Sequence, residues 1–72
     1  MRNAKIKEQQ QIEFYAATAS MTREETLVYC TKLIVEARAP NYTLMNELKS
    51  MSKDRMIIAM NNFIMKGHGL GV

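Results

Sequence analysis

The sequence predicts an all-α protein: a small helical bundle of three longer helices plus one short helix, with a flexible Gly-rich C-terminal tail. Three observations predict it. Two segments thirty residues apart open with helix-capping residues, at Thr22 and Ser52. Apolar side chains recur at three- and four-residue spacing through four stretches. Glycine does not occur before Gly67, and the one proline, Pro40, falls between two of the stretches.

The first stretch covers residues 3–19. Asn3 is a candidate cap, and no Gly or Pro follows until well beyond it. Ile12, Tyr15, Ala16 and Ala19 fall on one stripe, with Phe14, Ala17 and Met21 on an adjoining one. Residues 1–11 read as a frayed basic extension, so burial is expected to begin near Ile12.

The second stretch has the clearest start. Thr22 is an N-cap, and Glu25 three residues later completes a capping box. Glu24 and Glu25 also suit the positive end of the helix dipole. Leu27, Val28, Cys30, Leu33, Ile34, Val35 and Ala37 give a wide apolar arc, expected of a central helix. Pro40 ends it, because it donates no backbone hydrogen bond and keeps Ala39 out of the helical region.

The third stretch is short. Thr43 is its candidate cap, and Leu44, Met45 and Leu48 should face inward. Ser52 caps the fourth helix, which carries Met56, Ile57, Met60, Phe63 and Ile64 on its apolar face and stops at Gly67. Residues 67–72 are too rich in glycine for regular structure and are expected to be mobile. The expected core is Ile12, Leu27, Val28, Leu33, Ile34, Leu48, Met56, Ile57, Met60 and Phe63.

The helix starts echo each other. Ser20, Met21, Thr22, Arg23 and Glu24 match Ser50, Met51, Ser52, Lys53 and Asp54 position by position. The match continues from Leu27, Val28, Cys30, Leu33 and Ile34 to Ile57, Ile58, Met60, Phe63 and Ile64. The shared grammar of helix starts accounts for this, and a duplicated helical unit is the alternative.

Length and composition narrow the function. Seventy-two residues make one helical domain, 1–72. So short a chain is marginal alone, which favours self-association. The single cysteine forbids an internal disulfide and suits a reducing compartment. Glutamines at 9, 10 and 11 stand where a signal peptide would need an apolar run, and no stretch reaches membrane-span length. A cytoplasmic, intracellular chain without a membrane span is expected.

No catalytic constellation is legible. The only histidine, His68, lies in the tail, away from any rigid shell. Cys30 lies on the apolar arc and reads as an inert buried thiol. Glu24 and Glu25 diverge by about 100° on a helix and do not converge on a substrate. Cys30 and His68 alone cannot make a zinc site, and the glycines follow a helix where a phosphate loop precedes one. No cofactor, metal or small-molecule substrate is expected, and the chain reads as no enzyme.

What remains is binding. Net charge is +3, which permits contact with nucleic acid or an acidic partner without requiring either. Arg2, Lys5 and Lys7 cluster as a basic arm toward phosphates. Arg23, Lys53 and Arg55 stand at helix starts, and residues 43–66 have the proportions of a helix-turn-helix. Of the seven methionines, Met51 and Met65 are the candidates for an adaptable partner surface. These eight residues are the candidate partner-binding set.

A short, Met-rich, mildly basic chain with no glycine before its tail is similar to the small accessory and regulatory proteins of tailed bacteriophages, the T-even type in particular. The resemblance implies a non-enzymatic protein that modulates a host or viral protein in the host cytoplasm. It transfers no functional residue. The expected function is therefore protein–protein interaction with self-association. A small DNA-binding transcriptional regulator is the alternative.

Overall fold

The computed structural model describes residues 2–37 and 40–66, with side chains from residue 8 onward. It is all-helical among these residues. Four helices follow in order: α1 (Arg2–Thr18), α2 (Arg23–Glu36), α3 (Tyr42–Leu48) and α4 (Lys53–Lys66). Their lengths are 17, 14, 7 and 14 residues. The expected mobile tail, residues 67–72, lies outside the described residues.

The caps explain the helix starts. The Thr22 side chain accepts from Glu25 N at 3.2 Å, and Glu25 Oε1 accepts from Thr22 N at 2.8 Å. Ser52 Oγ accepts from Arg55 N at 3.3 Å, so α4 is capped without the reciprocal carboxylate. Two expected caps move. α1 begins at Arg2, so Asn3 sits inside it, and residues 2–11 are helical. α3 is capped by Asn41, whose Oδ1 accepts from Leu44 N at 3.0 Å, so Thr43 lies within the helix. Asn is a strong cap, and its place before Tyr42 starts α3 two residues earlier than Thr43 would.

The thirty-residue correspondence extends to the helix boundaries. α1 ends at Thr18 and α3 at Leu48; α2 spans 23–36 and α4 spans 53–66. Each boundary recurs thirty residues later. From residue 21 to 36 the side chains are buried, half-buried or exposed in the same order as from 51 to 66, at every position. α3 corresponds to the last two turns of α1, so residues 2–11 are the part without a counterpart.

The two hairpins interlock. α1 packs on α4, α3 on α2, and α2 on α4. The first and second of these contacts are equivalent under the thirty-residue shift, and the third lies between the two halves. The core is thus built between hairpins. It comprises Phe14, Cys30, Ile34, Leu48, Met56, Met60 and Ile64. The molecule measures 34 × 25 × 16 Å along its principal axes, which leaves room for a core of little more than one layer.

Two expected core residues are on the surface. Ile12 is 61% exposed and Val28 is 70% exposed. On α1 the stripe of Phe14 and Thr18 turns inward, leaving Ile12, Tyr15 and Ala16 outside. On α2 the line Thr26, Cys30 and Ile34 is buried, and Val28 lies roughly half a turn away from it. Leu27, Leu33, Ile57 and Phe63 are partly buried against the core.

Two threonines hold places a pattern search gives to apolar residues. Thr18 Oγ1 donates to Phe14 O at 2.9 Å, and Thr26 Oγ1 donates to Thr22 O at 2.8 Å. The bond back to the preceding turn satisfies the hydroxyl, so only its methyl group need be packed.

Substitution separates these sites. Phe14→Ala should cost about 3–5 kcal/mol, enough to unfold much of a domain this small. Val28→Ser and Ile12→Ser should stay within about 0.5 kcal/mol of the parent. Urea unfolding followed by circular dichroism reads the difference, and equal losses at all three would contradict the packing described.

Candidate functional site

The candidate partner-binding residues divide into three groups. Arg23, Met51 and Lys53 meet at the junction of the two interhelical turns. Arg23 Nε donates to Met51 O at 2.8 Å, and its Nη2 donates to Lys49 O at 2.7 Å. Lys53 Nζ donates to Met21 O at 2.6 Å and to Ala19 O at 3.5 Å. The two sets are equivalents: Arg23 with Lys53, Met51 with Met21, Lys49 with Ala19. Each cation crosses to the turn of the other half.

These bonds follow from the backbone. A helix end leaves carbonyls without partners. The turn after α1 has Met21 N donating to Thr18 O at 3.1 Å, and the turn after α3 has its match, Met51 N to Leu48 O at 3.1 Å, together with Ser50 N to Glu47 O at 3.1 Å. The carbonyls of residues 19 and 21, and of 49 and 51, accept from the cations instead. Arg23 and Lys53 are the first residues of their helices, where the dipole disfavours a positive charge. The facing carbonyls of the other hairpin offset that. Arg23 also holds Glu24 in an ion pair at 2.6 Å. The half-buried Met51 packs against the core.

The second group faces solvent. Arg55 and Met65 lie on the outer side of α4 with Asp54, Ile58, Asn62 and Lys66. The equivalent side of α2 carries Glu24, Glu25, Val28, Lys32, Val35 and Glu36. Ile58 is 56% exposed, matching Val28, and the exposed Ile12 likewise matches Tyr42 at 60%. The third group, Arg2, Lys5 and Lys7, lies on the first two turns of α1, and their side chains fall outside the described ones.

Concavities mark the surface formed by the described residues. One, of about 450 Å³, is lined by Met21, Glu24, Glu25, Val28, Tyr29 and Lys32. Its floor is apolar and its rim is charged, an arrangement suited to an apolar side chain flanked by charges. Another, of about 250 Å³, is lined by Asn41, Leu44, Ala59, Asn62, Phe63 and Lys66. It lies where the halves differ in bulk. Phe14 stacks on Tyr29 with ring centroids 6.0 Å apart and an interplanar angle of 13°. Their equivalents are Leu44 and Ala59, too small to fill the same space.

Sequence reasoning missed the exposed pair Val28 and Ile58. The register of the echo held the signal: positions 26, 30 and 34 with 56, 60 and 64 fix the inward line, and 28 and 58 then point outward. It also missed the cross-links, although a cation at the first position of two matched helices is an anomaly that asks for a partner elsewhere.

Cys30 is buried, and burial pushes its thiol from the ordinary 9.0 up to about 11. Among the described residues no group of three or more His, Cys, Asp or Glu side chains is placed to hold a metal ion. No helix described is long and apolar enough to cross a membrane.

Two predictions follow from this geometry. Arg23→Ala and Lys53→Ala should each lower stability by about 1–2 kcal/mol, Arg23 the more because it satisfies two carbonyls at short range; urea titration measures both. The raised thiol favours the protonated form in the folded chain. Its contribution is therefore complete below pH 9 and declines as pH rises toward 11. Cys30→Ala should show a shallower loss over that interval than the parent, and an identical slope would remove the assignment.

No family model, no curated protein and no solved structure matches this chain.

Proposed function

We propose that the protein acts by binding another protein, without catalysis, through the outer sides of α2 and α4. The observation that carries this reading is the paired exposure of Val28 and Ile58, at 70% and 56%, on equivalent helix positions. A single exposed aliphatic side chain is ordinary. Here the exposed aliphatic recurs at the matching position in both halves, and beside Val28 it overlooks an apolar concavity with a charged rim. Such surfaces mark contact sites.

In this reading the chain is a cytoplasmic regulatory protein of the phage accessory kind, one that alters a host or viral protein by occupying its surface. The lone buried thiol and the Met-rich, mildly basic composition support it.

A specific observation favours a second reading, DNA binding by α3 and α4. The exposed side of α4 presents Arg55, Asn62 and Lys66, residue types that read base edges and phosphates. Asp54 on the same side and Glu24 and Glu25 on the equivalent side of α2 oppose a polyanion.

Affinity capture with the full chain, compared with Val28→Glu and Ile58→Glu, tests the first reading. The parent should enrich a defined protein and at least one variant should lose it. A mobility-shift assay at low and high salt tests the second. Tight, salt-sensitive binding to duplex DNA, abolished by Arg55→Ala, would displace the protein-binding reading.

A further inference from the structure

We infer that the outer side of α2 on one copy of this chain docks on the outer side of α4 on a second copy. The inference rests on the protein-binding reading and names its partner.

The two sides share an apolar centre and differ in charge. On α2, Val28 and Val35 stand seven residues apart; on α4, Ile58 and Met65 occupy the equivalent places. All four are exposed. Two turns of helix separate each pair, so one pair can lie along the other as in a helix seam.

Two of the flanking charges reverse between the halves, while Glu24 and Asp54 share a sign and Lys32 has the uncharged Asn62 as its equivalent. Glu25 on α2 corresponds to Arg55 on α4, and Glu36 corresponds to Lys66. The acidic pair is eleven residues apart, about 16 Å along the helix, and the basic pair has the same separation. Acid therefore meets base at both ends whether the helices dock parallel or antiparallel. All four are exposed, and Glu25 Oε1 also accepts from Thr22 N in the cap of α2. Docking like on like would instead set acid against acid, or base against base. The complementarity selects α2 on α4.

The contact is small. Each helix has 14 residues, about 21 Å of length, so the buried area falls at the low end of specific interfaces. Association should be weak and salt-sensitive. It is also heterologous: two joined copies still present one free α2 side and one free α4 side. Growth does not stop at two unless a ring closes.

Sedimentation of the full chain across concentration and salt tests this. The parent should gain mass continuously as concentration rises toward about 1 mM, and lose it in high salt. Glu36→Lys and Lys66→Glu should each weaken association about three- to tenfold. Mixed one to one, they should recover association, because the intact α2 side of the Lys66→Glu chain meets the intact α4 side of the Glu36→Lys chain. Docked antiparallel, the mixture should stop near twice 8.3 kDa; docked parallel, the two reversed positions face each other with opposite charges again, and growth should continue past that mass. Circular dichroism checks that each variant keeps its helices, and Val28→Ser serves as a second, neutral disruptor.

A parent that stays monomeric throughout overturns the inference. So do charge reversals without effect, or a mixture no larger than its components. If the chain is monomeric yet captures another protein through Val28 or Ile58, the self-docking fails and the protein-binding reading stands. If it is monomeric and binds duplex DNA through Arg55, both fail.

Discussion

Two cations that leave their own hairpins tie the halves of this fold together. Arg23 and Lys53 open α2 and α4, and each donates to backbone carbonyls in the turn that precedes the other helix. A free carbonyl at a helix end needs a donor, and a cation at a helix start lacks a favourable field. Crossing the two turns answers both needs together. The cost of ordering two long side chains is met by charge-assisted bonds in a partly buried setting.

The packing repeats this exchange on a larger scale. α1 rests on α4 and α3 on α2, so the apolar face of each hairpin is covered chiefly by the other. A chain of this length cannot enclose a deep core. It makes a thin one from facing stripes: Phe14, Cys30 and Ile34 from the first half; Leu48, Met56, Met60 and Ile64 from the second. Where equivalent residues differ in size, the surface changes. Phe14 and Tyr29 fill what Leu44 and Ala59 leave open, and the hollow beside α3 results.

Much of the fold was legible in the sequence, through local chemistry. The Thr22 capping box and the Ser52 cap are short-range devices written in adjacent residues, and both appear in the structure. The all-helical class follows from apolar spacing and the place of Pro40. Less legible was which side of an amphipathic helix faces inward. α2 has apolar residues almost all round, so Val28 and the buried Cys30 look alike in sequence. Thr18 and Thr26 conceal core positions behind hydroxyls that bond their own helix. Asn41 and Thr43 are both acceptable caps, and the structure uses Asn41. The surface reading was harder still. Arg23 and Lys53 look like free charges until their distant acceptors, 28 and 32 residues away, are in view.

The crossing of the two turns also sets an order on synthesis. When the first hairpin emerges, the carbonyls after α1 have no Lys53 to accept from, and Phe14 has no α4 to cover it. The chain must wait for its second half before either half is complete. Local helices can form early, but the decisive contacts join residues far apart in sequence and form only when α4 is available. Until α4 is in place one apolar hairpin stands open, and the surface shaped to close it is its sister hairpin.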